Sequence, residues 1–215
     1  LDDDGAIAGV KAIGPGNKLV AFRGRNVILA SGGYQGNQEM LSHYVGPQAQ
    51  FIRPVSRGGH YNRGEGVRMA LSVGAAPCGD FSSFHAQPVD PRSTDVEPVV
   101  LNYSYGILVN DAGQRFTDEA PGMVDATYEE VARLIMAQPH GIAFAVFDSK
   151  LDEVENWPVT VRSRVPPIQA ESLSELANAM DVDARNFLAT MDAYNRACTA
   201  SDGFDPLQTD GLSTT

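Results

Sequence analysis

The sequence predicts an α+β fold in which short strands open the chain and amphipathic helices dominate its second half. Three observations support this prediction. β-like runs separated by Gly-containing turns occupy the first 30 residues. A hairpin pattern spans 107–116, and apolar residues recur at helical spacing in 126–138 and in 184–199. The two element types therefore concentrate in different stretches of the chain, as they do in α+β domains.

Composition narrows the function classes. The chain has 215 residues, of which 43% are hydrophobic and 20% are charged, which is ordinary for a globular protein. A net charge of −11 argues against nonspecific nucleic-acid binding, although a local arginine cluster can still bind an anionic substrate. The two cysteines form no ligand or redox pattern, no signal-peptide pattern occurs, and no apolar run has membrane-spanning length. We therefore expect a cytoplasmic location and no transmembrane segment.

A glycine-rich turn follows an apolar run near the start of the chain. Residues 27–30 are wholly apolar and predict a strand buried on both faces, which runs into Ser31, Gly32 and Gly33. Ligands of open α/β sheets collect at the carboxyl ends of strands, and small residues let them approach the backbone. An ordinary strand-to-helix turn is the commoner alternative. Further on, Glu65 begins a predicted helix, where the helix dipole alone would favour an acid.

The predicted hairpin places one arginine where chemistry is possible. Ile107 to Val109 form the first strand, a turn follows at 111–113, and 114–116 return as the second strand. Because successive strand residues point to opposite faces, Phe116 packs inward when Arg115 points toward a cleft or toward water. The plain alternative is a surface arginine on a generic hairpin.

Several motifs resemble the FAD-dependent flavoproteins of the fumarate reductase/succinate dehydrogenase family. The run VILASGGYQGN is similar to the family's VVLATGGF..N, and GEG..MA is similar to GDG..MA. The stretch SYGILVNDAGQRFTDE, which ends at Glu119, resembles the family's LVN…G.RF…E hairpin. The resemblance implies FAD as cofactor, bound by Ala30, Ser31, Gly32, Gly33 and Glu65. It also implies that Arg115 transfers a proton beside the flavin. A bidentate clamp on a substrate carboxylate is the alternative role for this guanidinium.

The resemblance also shows where this chain departs from fumarate reductases. The stretch DFSSFHAQP resembles a substrate-binding strand, with Gln87 at the position of the family's histidine. His85 lies two residues earlier on the same predicted face, where it could substitute or be a plain polar residue. The family's proton-relay Glu and Arg fall on Val99 and Asn102, which cannot carry a proton. This departure, with NYSYGILVN and the following helix, resembles the tricarballylate dehydrogenase branch instead.

Domain organisation follows from the same resemblance. Residues 1–79 are expected to be part of the FAD-binding domain, and residues 80–215 an α+β capping domain that closes over the flavin. The chain lacks the Gly-x-Gly-x-x-Gly turn, and the family's last substrate residues would lie beyond Thr215. We therefore expect a central fragment that alone lacks bound FAD and activity. The acid-rich loop 90–97 lacks calcium-loop spacing, so no metal site is expected.

The implied function is that of a dehydrogenase which transfers a hydride between flavin and a small carboxylic acid such as tricarballylate. The electron acceptor stays unassigned. A 3-ketosteroid dehydrogenase-like or fumarate reductase-like flavoenzyme is one alternative, and a non-catalytic binding or assembly module is another. Asn37 is expected to begin an earlier helix. For 80–215 the patterns predict helix caps at Asp125, Ser172 and either Asp181 or Asp183, with Tyr128 on the apolar face of the helix after Asp125. One shared core is expected to contain Phe116, Ile142, Phe144, Phe187 and Leu188, with Cys198 also inward.

Overall fold

The first hairpin stands apart from the rest of the chain. The computed structural model describes residues 1–119 and 122–198, so the prediction of an irregular stretch at 201–215 lies outside the described residues. Strands β1 (Gly9–Gly14) and β2 (Lys18–Arg23) pair antiparallel, with Gly9 opposite Arg23. A tight turn at 15–17 joins them. The β-like runs predicted for this region are therefore confirmed as a two-stranded ribbon.

The apolar run at 27–30 is not a strand, and the prediction of a strand buried on both faces is wrong. Ile28 is 91% exposed. A strand needs a neighbour that supplies ladder hydrogen bonds and covers its side chains. The two sheets of the described residues are both two-stranded, and neither includes 27–30. Apolar composition alone could not reveal that a neighbour is missing.

Two short helices flank the glycine-rich turn. Helix α1 (Gln38–Tyr44) is capped as predicted by Asn37, whose Oδ1 accepts hydrogen bonds from two backbone amides of the first turn. Helix α2 (Glu65–Ser72) ends just before Gly74, which adopts φ +88°. A residue with a β-carbon is disfavoured at that left-handed backbone, so glycine stops the helix there.

A second sheet and three helices form the other half of the structure. Strand β3 (Ile107–Asn110) pairs antiparallel with β4 (Ala143–Val146). The helices are α3 (Val124–Met136), α4 (Leu173–Met180) and α5 (Ala184–Ala197). Helices α4 and α5 begin after capping side chains, whereas the residue before α3 makes no capping hydrogen bond. No helix of the described residues is both long and apolar enough to span a membrane.

Two of the three predicted caps are confirmed. Ser172 Oγ accepts from the Glu175 amide at the start of α4, and Asp183 caps α5. Asp181 instead ends α4 in a left-handed conformation, with φ 57°. The prediction for Asp125 is wrong, because this residue lies inside the first turn of α3. There its negative charge interacts favourably with the positive end of the helix dipole, but its side chain does not cap the helix.

The β3–β4 sheet separates two apolar cores. On one face Ile107 and Val109 pack with α4 and α5, where Phe187 is fully buried. On the other face Leu108 packs with Tyr103 and Val131 of α3, and Phe116 joins them. The division follows from the alternation of side chains along β3.

A single shared core was therefore the wrong prediction. Phe116 and Phe187 lie on opposite faces of the sheet, and Phe144 packs with Phe187. Neither cluster contains Ile142. Leu188 is 37% exposed, and Cys198 is exposed as well, so both were wrongly placed inside.

Arginines neutralise the acid-rich loop 90–97. Arg92 pairs with the buried Asp90, and Arg162 Nη1 lies 3.1 Å from Glu97 Oε2. Arg164 Nε donates to Asp95 over 3.0 Å, and its Nη2 contacts the same carboxylate. Because two of these arginines come from a distant segment, the pairs fasten the loop to residues 161–164. The loop is therefore held in place by ion pairs to a segment that is distant in sequence.

Asp95 makes the stability of this connection depend on pH. The hydrogen bond from Arg164 lowers the pKa of Asp95 from 3.8 to about 2. A pKa that is lower in the folded state contributes stability above the unfolded value, and this contribution is lost as pH falls through the folded value. We expect Asp95→Asn to reduce the loss of stability between pH 4 and pH 2, measured by thermal unfolding across that range. The control Asp3→Asn, at an exposed turn, should leave the curve unchanged; an unchanged Asp95→Asn curve would contradict the prediction.

Candidate active site

The turn at 31–33 packs closely against the start of α2. The Gly64 amide donates to the Gly33 carbonyl over 3.1 Å. A β-carbon added to Gly66 would lie 2.1 Å from Ser31 Oγ. One added to Gly32, at φ +77°, would lie 2.8 Å from Asn62 Oδ1. Position 32 favours glycine because its backbone is left-handed, and Gly66 lets the start of α2 lie directly against the Ser31 side chain. Bare backbone therefore forms part of the floor of the site.

A concavity of about 250 Å³ opens beside this turn. Its walls are small or apolar residues, among them Leu29, Ser31, Gly32, Gly66, Val67, Ala70, Cys78 and Phe81. Such a surface suits the close approach of a flat, largely apolar ligand. Of the residues predicted to bind FAD, Ser31 and Gly32 line the concavity. Ala30 and Gly33 are their neighbours in sequence.

Glu65 is exposed and turns back on the chain. Its Oε2 accepts a hydrogen bond of 3.2 Å from the Arg63 amide, next to the first turn of α2. This is the behaviour of a first-turn acid favoured by the helix dipole. A contact between Glu65 and FAD stays a prediction.

Arg115 is held by the carboxylate of Glu119, to which the sequence analysis assigned no role. Arg115 Nε lies 3.2 Å from Glu119 Oε1 and 3.0 Å from Oε2, and Nη2 lies 2.5 Å from Oε2. Glu119 is 4% exposed and the Arg115 side chain 13%. Glu119 Oε1 also accepts from the Leu108 amide over 2.6 Å. The pair therefore joins the return of the hairpin to β3.

The surroundings of Arg115 keep its guanidinium charged. Burial alone would lower the pKa of Arg115, but hydrogen bonds to Glu119 and the negative charges of Glu119 and Asp118 raise it on balance. The cation also lies 5.2 Å from the centre of the Tyr194 ring on α5. Giving up a proton is therefore harder for Arg115 than for an ordinary arginine. The geometry favours a fixed positive charge over a proton carrier.

The hairpin itself forms largely as predicted. Gly113 in the turn has φ +73°, and Val109 forms a bridge to Arg115. Phe116 packs into the core that contains α3, while Arg115 lies against Tyr194 on the α5 side. Opposite faces for these two neighbours are confirmed. The open cleft expected beside the guanidinium is replaced by the Glu119 carboxylate, and Arg115 does not line the concavity at the glycine turn.

The two predicted substrate residues do not share a strand. Residues 83–88 have no regular secondary structure, so a common strand face for His85 and Gln87 is wrong. His85 instead contacts α3: its Nδ1 lies 2.9 Å from Glu129 Oε2 and its Nε2 3.0 Å from the Tyr128 hydroxyl. Gln87 is partly buried. The alternating pattern was present in the sequence, but neither sheet of the described residues includes this stretch, and backbone pairing begins only at its last residue, where the Pro88 carbonyl accepts from the Val100 amide.

The positions that would carry the proton relay are buried and non-ionisable. Val99 and Asn102 are 2% and 4% exposed. Asn102 Oδ1 is buried and accepts no hydrogen bond from the described residues. Among the same residues, no group of three or more His, Cys, Asp or Glu could hold a metal ion. Proton transfer in this chain therefore needs groups other than those two positions.

Comparison with known proteins places these features in a family. The profile of the FAD binding domain matches residues 1–209. The NADH:fumarate oxidoreductase of Klebsiella pneumoniae strain 342 is 24% identical over 192 residues, which cover 89% of this chain and 20% of the relative. The urocanate reductase of Eggerthella lenta is 26% identical over 95% of this chain and 34% of its own length.

A solved structure agrees with the sequence relatives. The 3-ketosteroid-Δ4-(5α)-dehydrogenase of Rhodococcus jostii RHA1 superposes with a TM-score of 0.64 at 26% identity, over 91% of this chain and 38% of that protein. The chain thus spans between a fifth and two fifths of the lengths of these proteins. The glycine turn and the apolar concavity lie within the matched range. The chain belongs to the FAD binding domain family, and FAD is its cofactor.

Proposed function

We propose that the protein containing this chain is an FAD-dependent oxidoreductase that moves a hydride between flavin and a small carboxylic acid such as tricarballylate. The observation that carries the proposal is the backbone floor at 31–33, closed against α2 in a chain of the FAD binding domain family. FAD, when bound, supplies the hydride chemistry, and the protein supplies binding and orientation. Relatives named for fumarate and urocanate support an acidic substrate.

The two halves of the chain are proposed to have different functions. We assign residues 1–79 to the FAD-binding domain and 80–215 to a capping domain that excludes water from the flavin. The second half supports this assignment because the β3–β4 sheet has its own cores on both faces. Gln87 and His85 are the proposed substrate residues. We also propose a cytoplasmic location, a reducing compartment in which the two cysteines would stay as thiols.

Arg115 is proposed to act as a fixed cation near the substrate carboxylate. Its raised pKa and its ion pair with Glu119 support this role over proton transfer. A guanidinium whose orientation is already fixed loses little further entropy when it binds a second carboxylate. Both acids would then lie in one plane around the same planar cation.

A 3-ketosteroid dehydrogenase-like activity is the second candidate. The superposition on a steroid-bound dehydrogenase favours it. A fumarate reductase-like activity is less well supported, since Val99 and Asn102 occupy the relay positions.

Anaerobic bleaching of the flavin in the full-length protein tests the proposal. Tricarboxylates, C4-dicarboxylates and 3-ketosteroids are added separately, and the loss of flavin absorbance is recorded. We expect bleaching with a tricarboxylate. Bleaching only with a 3-ketosteroid would establish the second candidate instead, and a purified protein without flavin absorbance would indicate a non-catalytic binding or assembly module.

The glycine floor gives a prediction about FAD binding. We expect Gly32→Ala to lower the FAD content of the full-length protein, because its β-carbon would meet the Asn62 side chain and one of the two groups would have to move beside the turn. The matched control is Gly74→Ala, which has a similar positive φ but open space around the added carbon. Both variants pay backbone strain of about 1 kcal/mol. FAD content is measured by absorbance after gel filtration, and equal losses in the two variants would contradict the prediction.

A further inference from the structure

Tyr128, His85 and Glu129 form a continuous hydrogen-bonded series at the start of α3. The Tyr128 hydroxyl lies 3.0 Å from His85 Nε2, and His85 Nδ1 lies 2.9 Å from Glu129 Oε2. The His85 and Tyr128 rings meet edge to face, with centres 5.4 Å apart. The order hydroxyl, imidazole, carboxylate is the arrangement that lets an imidazole take a proton from a hydroxyl.

Arg133 fixes the carboxylate end of this series. Its Nη2 lies 2.8 Å from Glu129 Oε1, one helical turn away on α3. The same nitrogen donates to the Phe84 carbonyl, and the guanidinium carbon lies 4.4 Å from the centre of the Phe84 ring. Residues 84 and 85 are therefore attached to α3 through both the arginine and the imidazole. Arg133 thus fixes both Glu129 and the backbone next to His85.

The charges around His85 determine which nitrogen carries its proton. A hydrogen bond from Arg133, and then one from His85, hold the pKa of Glu129 below its ordinary value, so its carboxylate is ionised. Asp80 is the other acid whose pKa responds to the charge of Arg133. An ionised carboxylate accepts only, so His85 Nδ1 must be the donor to Glu129. In the neutral imidazole Nε2 is then the acceptor, and the Tyr128 hydroxyl donates to it.

The residues considered so far for proton transfer do not supply a proton carrier. Val99 and Asn102 cannot carry protons, and the ion pair with Glu119 keeps Arg115 charged. The series lies close in sequence to the proposed flavin site, since Phe81 lines the concavity and His85 follows four residues later. Four residues of extended chain span at most about 14 Å. His85 is exposed on its outer side, where a substrate has access.

We propose that Tyr128 is the catalytic proton-transferring group of the dehydrogenation, with His85 and Glu129 as its positioning residues. This inference rests on the proposed function. One C–H bond of the substrate breaks with its electron pair leaving as hydride for the flavin. The neighbouring carbon loses a proton to the Tyr128 oxygen while the Tyr128 proton passes to His85 Nε2. The electrons left on that carbon form the C=C bond, and the new imidazolium charge faces Glu129.

The proton position on His85 is measurable without turnover. In the FAD-loaded full-length protein labelled with ¹⁵N-histidine, we expect the His85 ring in the Nδ1–H tautomer. We expect Glu129→Gln to shift it toward the Nε2–H form, because a neutral amide no longer holds the Nδ1 proton. The control His60→Gln identifies an exposed histidine and should leave the His85 signal unchanged. An Nε2–H tautomer in the wild type would overturn the proposal.

Stopped-flow reduction of the flavin tests the proton step directly. General acid–base groups contribute roughly 100-fold to 10,000-fold, so we expect Tyr128→Phe to slow reduction at saturating substrate by about 100-fold or more with little change in substrate affinity. The control Tyr61→Phe removes an exposed hydroxyl and should reduce at the wild-type rate. FAD content and melting temperature show whether Tyr128→Phe folds. His85→Gln, which leaves the hydroxyl in place, is the second variant and should also slow reduction.

The outcomes separate this inference from the proposed function. If the wild type is reduced by a substrate and both variants react within about threefold of it, the proposed function stands and the relay is refuted. If no substrate reduces the wild-type flavin, the proposed function fails and the proton step fails with it. A solvent isotope effect on wild-type reduction that is lost in Tyr128→Phe supports the relay, since a merely structural tyrosine would leave it unchanged.

Discussion

Replacing Arg115 with alanine is expected to lower the free energy of unfolding by about 3–5 kcal/mol, because a buried carboxylate is left without its cation. Glu119 is 4% exposed, and once the guanidinium is removed its remaining protein partner in the pair's surroundings is the Leu108 amide. Arg115→Lys should restore only part of the loss, since an ammonium group cannot reproduce contacts from both Nε and Nη2. Urea denaturation of the full-length protein measures the effect.

The matched control is the exposed ion pair between Arg162 and Glu97. Its atoms lie 3.1 Å apart, but both side chains are well exposed to solvent. Such pairs contribute about 0–1 kcal/mol, so Arg162→Ala should have a small effect. Equal destabilisation by the two alanine variants would show that burial of Glu119 does not decide the outcome, and would contradict the prediction.

The same Arg115→Ala variant tests the proposed role of the cation. A fixed charge in a water-excluded site typically contributes about 3–4 kcal/mol, or roughly 100-fold to 1000-fold in rate. We expect that loss in flavin reduction at saturating substrate, after correction for FAD content. A rate within about threefold of the wild type would leave Arg115 with the structural role that its pairing with Glu119 already gives it.

Local signals predicted much of the fold. Asn37, Ser172 and Asp183 cap helices because a side-chain oxygen needs only the amides two or three residues ahead. Gly113 marks the hairpin turn because its left-handed backbone is a property of one residue. The opposite faces of Arg115 and Phe116 follow from alternation alone. Each of these features is decided within a few residues, so the sequence carries enough information.

Features that depend on a distant partner were not predictable in the same way. The stretches 27–30 and 83–88 have strand-like patterns, yet neither belongs to a sheet of the described residues. The division of the core into two clusters depends on which face of β3 each helix covers. Periodicity reports that a residue has an apolar side, and it does not report which element lies against that side.

The candidate site shows the same limit. Resemblance drew attention to Ser31 and Gly32, and both line the concavity. Glu119 ends the hairpin motif but was given no role, because only the folded return of the hairpin brings its carboxylate to the Arg115 guanidinium. Tyr128 was treated as one residue of an apolar helix face. Its hydroxyl acquires a chemical partner only through His85, 43 residues away.

Phe187→Ala is expected to destabilise the protein by about 3–5 kcal/mol, because truncating a buried aromatic ring loses burial energy and leaves a cavity. Phe187 is 0% exposed and packs with Ile107 and Val109 of the sheet. The hairpin turn also depends on this point of α5. A β-carbon on Gly113 would lie 2.6 Å from the Phe187 amide, and Thr190 donates to the Gly113 carbonyl over 2.8 Å.

Leu188→Ala is the control that tests the observed face of α5. Leu188 was expected in the same core, but at 37% exposure it buries much less area on folding. We expect its truncation to cost about 1 kcal/mol, measured by urea denaturation beside Phe187→Ala. Comparable losses at both positions would mean that α5 is rotated from the described orientation. The hairpin would then also lose its packing, since the turn at Gly113 lies against α5 beside Phe187 and the capping residue Asp183.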